Sequence, residues 1–120
     1  DILSASANDN TIAWYENNGS ESFTEHIIST TASGARFVYS ADIDSDGDID
    51  VVSASGQWGS GKSAWYENNG SESFTEHVIS TSVNNPWSVY TVDIDGDGDI
   101  DLLSASANVN TTAWYETHGS

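Results

Sequence analysis

Two nearly identical stretches determine the architecture: residues 13–30 read AWYENNGSESFTEHIIST, and residues 64–81 read AWYENNGSESFTEHVIST. They differ only where Ile27 is replaced by Val78. The beginning of the motif occurs a third time, and its tryptophans, 51 and then 49 residues apart, are Trp14, Trp65 and Trp114. A period near 50 residues is typical of a propeller blade or a β-solenoid turn and is long for helical repeats.

Each period is predicted to contain four short strands. In the middle copy these cover residues 37–43, 50–55, 63–67 and 74–80. The last of them, FTEHVIS, alternates with a period of two, as a half-buried strand does. The sequence NNGS just before it predicts a tight turn, because Asn and Gly tolerate positive φ. No segment has the apolar stripe of an amphipathic helix, so the sequence predicts an all-β protein.

The chain contains about two and a half of these units. We expect a partial unit at residues 1–33, a complete one at 34–84 and a second partial one at 85–120. An isolated strip of this kind would leave an apolar face uncovered at each end. We therefore expect it to pack against neighbouring identical or similar repeats, either in the same parent chain or in a homo-oligomer or filament.

Ten of the twelve aspartates lie in two nine-residue loops, DIDSDGDID at 42–50 and DIDGDGDID at 93–101. Carboxylates this close repel one another unless a cation lies among them. Calcium prefers six to eight oxygen ligands in a flexible geometry, whereas magnesium requires an octahedron and keeps its waters. Zinc and copper prefer His or Cys, which both loops lack. Two calcium ions, one in each loop, are therefore predicted.

An EF-hand is the competing interpretation of these loops, and it fails. Its twelfth position should be a bidentate Glu, whereas the corresponding residues are Ser53 and Ser104. Its flanking segments should be helices, whereas the flanks here are predicted to be strands.

Units of strand, DxDxDGDxD loop and strand, repeated about every 50 residues, resemble the FG-GAP/VCBS repeats of integrin-α-type β-propellers over essentially the whole chain. The resemblance implies blades of four antiparallel strands with calcium held in the loop between the first two. Side-chain oxygens would come from loop positions one, three, five and nine, and a main-chain carbonyl from position seven. The implied ligands are Asp42, Asp44, Asp46, Asp48 (main chain) and Asp50, then Asp93, Asp95, Asp97, Asp99 (main chain) and Asp101.

Asp1 matches the ninth loop position, because DILSAS at residues 1–6 corresponds to DLLSAS at residues 101–106. It would therefore belong to a truncated metal site. The Phe-Gly and Gly-Ala-Pro signatures of the integrin version are absent, which favours the VCBS-like branch of the family.

The charge of the chain excludes several function classes. With 19 acidic and 2 basic residues, the formal net charge is −17, which disfavours binding to nucleic acids and to anionic membranes. No apolar run approaches the roughly 18 residues that span a bilayer, and there is no cysteine for disulfides. Extracellular calcium modules bind at about 10⁻⁴–10⁻³ M, so calcium loops indicate an extracellular protein, secreted or on the cell surface.

No nucleophile elbow, triad spacing or phosphate-binding loop is present, so the chain is not predicted to be an enzyme. The primary hypothesis is a non-enzymatic, calcium-stabilised extracellular structural or adhesion module with a protein or glycan ligand. The alternative is a carbohydrate-binding, lectin-like propeller of the integrin type. Its sugar site would use Trp58 and Trp87, because both depart from the repeat and Trp87 replaces Arg36.

Three sequons match the N-glycosylation pattern, which predicts a glycoprotein if they are used. They begin at Asn18, Asn69 and Asn110. The first two fall on predicted turns, where Asn-Gly-Ser is also good turn chemistry.

Overall fold

In the computed structural model, which describes residues 1–57, 59–108 and 110–118, the chain folds into β-strands. The strands are β1 (Ile2–Ser6), β2 (Thr11–Asn17), β3 (Phe23–Ser29), β4 (Ala35–Ala41), β5 (Asp50–Ser55), β6 (Lys62–Asn68), β7 (Phe74–Ser80), β8 (Pro86–Val92), β9 (Asp101–Ser106) and β10 (Thr111–Tyr115). Within these ranges there is no helix long and apolar enough to cross a membrane.

The strands form three antiparallel sheets, each continuous in sequence. The first sheet has the order β1-β2-β3, the middle sheet β4-β5-β6-β7 and the last sheet β10-β9-β8. As far as the strands are described, none of the sheets closes into a barrel. The predicted all-β fold with four strands in a complete unit is therefore confirmed, and the first and last sheets are blades with three strands.

The three sheets share one pairing register, so their residues can be compared position by position. Ile2 pairs with Tyr15 in the first sheet, and Val51 pairs with Tyr66 in the middle one. The corresponding pair in the last sheet is Leu102 with Tyr115. We call residues at matching positions of the three sheets equivalent.

The first strand of the middle sheet ends earlier than predicted. It covers Ala35–Ala41 rather than residues 37–43. Ile43 is buried beyond its end, and its N–H donates to Asp50 Oδ2 at 2.8 Å instead of joining the strand ladder. The predicted strands at 50–55 and 74–80 are confirmed, and the one predicted at 63–67 is longer by one residue at each end.

Two apolar clusters hold neighbouring sheets together. One joins the first and middle sheets and contains the buried residues Ile12, Ala32, Ala35, Val51, Ala64 and Tyr66. The other joins the middle and last sheets and contains Ile43, Val52, Ala54, Val89 and Leu102. Contacts between sheets are made chiefly by β1, β4, β5 and β8, which form the inner part of the stack.

The middle sheet is buried on both faces because it lies between the two clusters. Every residue of β5 is buried, which explains why DVVSAS combines Val with small residues instead of alternating with polar ones. Tyr66 extends from the next strand into the first cluster and is 1 % exposed. Its hydroxyl donates to Glu76 Oε1 at 3.2 Å, so its one polar group is satisfied despite burial.

Candidate metal centre

The two aspartate loops connect β4 to β5 and β8 to β9. In the first loop, carboxylate oxygens of Asp42, Asp44 and Asp50 all lie within 4.8 Å of one another. In the second loop the same is true of the equivalent residues, Asp93, Asp95 and Asp101. Loop positions one, three and nine therefore converge in both copies, as a shared cation requires.

The ninth-position aspartate connects three segments of the middle sheet. Asp50 is fully buried, and its two carboxylate oxygens accept the N–H of Ile43 and the N–H of Asn68, each at 2.8 Å. Ile43 lies at the beginning of the loop and Asn68 at the end of β6. The carboxylate therefore links the loop to the neighbouring hairpin, and the two backbone hydrogen bonds hold the Asp50 side chain in one position.

The same arrangement recurs at the equivalent positions. Asp101 accepts the N–H groups of Ile94 and Thr117, both at 3.0 Å. Asp1 accepts the N–H of Asn17 at 2.9 Å. The structure thus gives Asp1 the same role toward the hairpin as its two equivalents.

The first-position aspartate organises the loop backbone. Asp42 accepts the N–H groups of Asp46 and Gly47, both at 3.1 Å, so the chain curls around its carboxylate. Gly47 has φ 98° and the equivalent Gly98 has φ 99°, in the left-handed region that favours glycine. This explains why the sixth loop position is glycine in both copies.

The NNGS turn between β6 and β7 covers the first loop. Gly70 has φ 76°, and a Cβ atom at this position would lie 2.6 Å from Asp48 Oδ2. A residue with a side chain at position 70 would therefore require the Asp48 carboxylate to move, and it would adopt a positive φ that favours glycine. The equivalent Gly19 also has a positive φ, 80°, so the backbone conformation of the turn accounts for glycine in both copies.

The carboxyl groups of the two loops differ in acidity. Burial raises the pKa of Asp50, against the opposing effect of the N–H groups of Asn68 and Ile43. Burial likewise raises the pKa of Asp44. Desolvation also acts on Asp101, but hydrogen bonds from Ile94, Thr117 and Trp114, together with the charge of His118, lower its pKa. A nearby positive charge would favour the ionised form of carboxyl groups in either loop.

The residues present fit calcium. The converging donors are all carboxylate oxygens, hard ligands that calcium binds in a flexible geometry. Asp46 and Asp97 lie outside the two converging triplets, and their Oδ1 atoms accept the N–H of the residue two positions later. Asp48 and Asp99 carry the main-chain carbonyls implied by the resemblance.

The family described as FG-GAP-like repeat matches residues 1–53 and, a second time, residues 42–104. The chain belongs to the FG-GAP-like repeat family. Both matches include the first aspartate loop, and the second match extends across the other loop as well. No curated protein and no solved structure matches the chain. The resemblance inferred from the loops and the repeat is therefore confirmed.

A glutamate near the second loop of this FG-GAP-like repeat protein was not predicted. A carboxylate oxygen of Glu116 lies within 4.8 Å of those of Asp95 and Asp97, all exposed. Its equivalent in the middle sheet, Glu67, contributes to the raised pKa of Asp44 through its negative charge. The sequence does repeat a glutamate after each Trp-Tyr pair. Its position beside the aspartate loop becomes visible only in the folded structure.

The repeated histidines have a structural partner that sequence analysis missed. The ring of His26 stacks on Trp14 with 4.3 Å between centroids, and the ring of His77 stacks on Trp65 at 4.5 Å. Each histidine also contacts the glutamate that follows the Trp-Tyr pair, as in His77 Nε2 to Glu67 Oε2 at 2.7 Å. The stacking follows from strand register, because both histidines pair with tryptophan across the hairpin.

Of the two residues proposed to bind sugar, Trp87 lies near the beginning of β8, at the opposite end of that strand from the second aspartate loop. Trp87 is 61 % exposed, and the Arg36 guanidinium lies 5.7 Å from the centre of its ring. Trp87 also borders an open cavity of about 240 Å³, together with Asn110, Thr111 and Thr112. Trp58 falls outside the described residues.

Two of the three sequons occupy exposed hairpin turns. Asn18 lies between β2 and β3, and Asn69 lies between β6 and β7. Their side-chain oxygens accept the N–H groups of Ser20 and Ser71. Asn110 is exposed immediately before β10. Glycosylation at these positions stays a prediction.

Proposed function

We propose that this chain is a non-enzymatic, extracellular structural or adhesion module whose sheets are stabilised by calcium in loops 42–50 and 93–101. Its membership of the FG-GAP-like repeat family supports a propeller-type repeat module. The observation that carries the calcium proposal is the position of Asp50. A buried carboxylate fixed by Ile43 and Asn68 converges with two further carboxylates, and burial disfavours its ionised form.

The protein's own residues would give calcium its structural role. Asp50 and Asp101 link each loop to the end of the neighbouring hairpin, while Asp42 and Asp93 hold the loop backbone in its curled shape. Calcium would supply positive charge, which lets these carboxylates remain ionised side by side. Because each ion carries two charges, two of them would change the formal charge from −17 to −13.

Calorimetric titration with calcium tests this proposal. We expect two sites in the unchanged chain and one remaining site in either Asp44→Asn or Asp95→Asn, because these substitutions remove equivalent ligands from different loops. The control is Asp9→Asn, which removes an aspartate outside both loops and should leave two sites. Absence of binding, or two sites in both loop variants, would contradict the calcium proposal.

Carbohydrate binding is the second candidate function, and the exposure of Trp87 favours it. An exposed indole beside polar residues can stack on a sugar ring while hydroxyl and amide groups bind its oxygens. On a glycan array, Trp87→Ala should lose at least about 90 % of any bound signal, which corresponds to about 1.4 kcal/mol. Val78→Ala, which shortens an exposed side chain on β7, is the control and should retain the signal. Equal binding by all three proteins, or no binding at all, would eliminate this candidate.

A further inference from the structure

Two pairs of exposed side chains bridge β4 and β8, the edge strands of the middle and last sheets. In the first pair, the Arg36 guanidinium lies 5.7 Å from the centre of the Trp87 ring. In the second pair, the rings of Tyr39 and Tyr90 have 5.4 Å between their centroids. Each pair joins equivalent positions of the two sheets. We call these four residues the aromatic platform.

A β-bulge in each strand positions the first pair. In β4, Ala35 and Phe37 pair with successive residues of β5, so Arg36 between them is an extra residue in the ladder. β8 has the same irregularity at Trp87. A bulge bends the strand and redirects a side chain, and bulges are common beside functional sites. The same local distortion in two sheets therefore brings the guanidinium and the indole together.

Neighbouring sheets do not cover the platform. Arg36 and Tyr39 belong to the middle sheet, which packs against a sheet on each side, and both residues are nevertheless exposed. Tyr39 is 36 % exposed, whereas Val38 beside it packs against the first apolar cluster. The platform is therefore a surface that stays open within the stack of sheets.

Arg36 is a cation without a carboxylate partner in a strongly acidic chain. Among the described residues it makes no ion pair, whereas Lys62, the only other Lys or Arg in the sequence, pairs with Glu76. Its contact with Trp87 is a cation–π interaction, which occupies no acceptor oxygen. The planar fork of N–H donors of Arg36 is therefore available to bind a carboxylate through two parallel hydrogen bonds.

The aspartate loops lie too far from the first pair to repel such a carboxylate strongly. Asp42 comes six positions after Arg36, and Asp93 comes six positions after Trp87. At about 3.3 Å per residue, each loop begins about 20 Å away along its strand. This exceeds the Debye length of about 8 Å at physiological ionic strength. The platform can therefore accept a negative charge although the chain carries −17.

We propose that the aromatic platform binds an acidic carbohydrate, with Arg36 on the carboxylate of a uronic acid and the aromatic rings against the faces of the sugar. This inference rests on the second candidate function, carbohydrate binding, and names its ligand class. The two pairs lie three residues apart along their strands, about 10 Å, so they can contact more than one sugar ring. One cation among three aromatic rings matches a ligand whose charge is attached to flat rings.

Calorimetric titration with digalacturonic acid and with its dimethyl ester, in millimolar calcium, tests the ligand class. The ester keeps both sugar rings but carries no charge. The unchanged chain should bind the acid at least about tenfold more tightly than the ester, because hydrogen bonds to an ionised group are stronger than neutral ones. Arg36→Gln should abolish this preference and leave the affinity for the ester nearly unchanged.

Two further variants separate charge from stacking. Tyr39→Ala should weaken the binding of acid and ester by a similar factor of up to about tenfold, because it removes a ring and keeps Arg36. Lys62→Gln is the matched control, since it also removes one positive charge, from a residue already paired with Glu76. It should leave the preference for the acid unchanged. Circular dichroism of each variant verifies that the sheets are formed.

The outcomes distinguish the ligand class from the candidate function on which it rests. Equal affinity for acid and ester would overturn the acidic ligand and leave carbohydrate binding in place. Absence of binding by both ligands would overturn the inference, whereas the glycan array decides separately whether any carbohydrate binds. A preference for the acid that persists in Arg36→Gln would overturn the role of Arg36. Tighter binding of a polyglutamate peptide than of digalacturonic acid would overturn the choice of a carbohydrate.

Discussion

Removing calcium is expected to lower the melting temperature of the protein by about 10–20 °C. If each loop binds with the Kd of about 10⁻⁴–10⁻³ M typical of extracellular modules, about 10 mM calcium contributes roughly 1.4–2.7 kcal/mol per site. Two sites then supply about 3–5 kcal/mol, a large share of the stability of about 6–18 kcal/mol usual for a chain of this length. Thermal unfolding followed by circular dichroism, in calcium and in EDTA, measures the difference.

Magnesium provides the control for this experiment. At the same concentration it should restore only a small part of the lost melting temperature, because it keeps its water ligands and demands octahedral geometry. The Asp44→Asn and Asp95→Asn variants should each lose about half of the calcium effect. Equal melting temperatures in calcium and EDTA would show that the loops do not stabilise the fold through a metal.

Asp50→Asn is expected to destabilise the calcium-loaded protein by about 2–4 kcal/mol. The amide keeps the shape of the side chain but has only one acceptor oxygen, so one of the N–H groups of Ile43 and Asn68 loses its partner. The loss of a charged ligand also weakens calcium binding, by about tenfold if the site keeps its other ligands. Urea unfolding in saturating calcium gives the free energy of unfolding.

The same substitution should cost much less in EDTA, at most about 1 kcal/mol. Burial raises the pKa of Asp50, so the contribution of this group to the stability of the metal-free fold is fully present below the unfolded pKa of about 3.8 and is lost as the pH rises through the folded pKa. At neutral pH, removing the charge therefore offsets part of the lost hydrogen bond. The control is Asp48→Asn, because position 48 is expected to bind through its main chain. Equal losses in calcium and EDTA would contradict a metal role for Asp50.

The repeat made most of the fold predictable from sequence. Two copies differing at one position revealed the period, and alternation in FTEHVIS and turn chemistry in NNGS placed the strands to within two residues. The end of β4 was harder to predict, because Ile43 continues the apolar pattern of the strand. Its N–H instead donates to the side chain of Asp50, seven residues later. Such a competing acceptor is visible only once the loop is folded.

The candidate site was predictable as a set of ligand types but not as a connected structure. Loop spacing predicted ten aspartates as ligands, and the structure brings three of them together in each loop. The bond from Asn68 to Asp50 could not be predicted, because it depends on how β5 and β6 align. The stacking of His26 on Trp14 likewise follows from strand register, since these residues lie directly opposite each other. Residues from different strands cannot be placed together until the pairing of those strands is known.

Each sheet is built from consecutive strands, and none of the ten described strands crosses into a neighbouring sheet. As the chain leaves the ribosome, each hairpin can therefore form from residues already made, without waiting for a distant partner. Nucleation can start in any unit and spread to its neighbours, as in other repeat proteins. The sheets therefore follow one another in space in the order in which they are translated. If synthesis stopped between two units, the sheets already made would have all their strands.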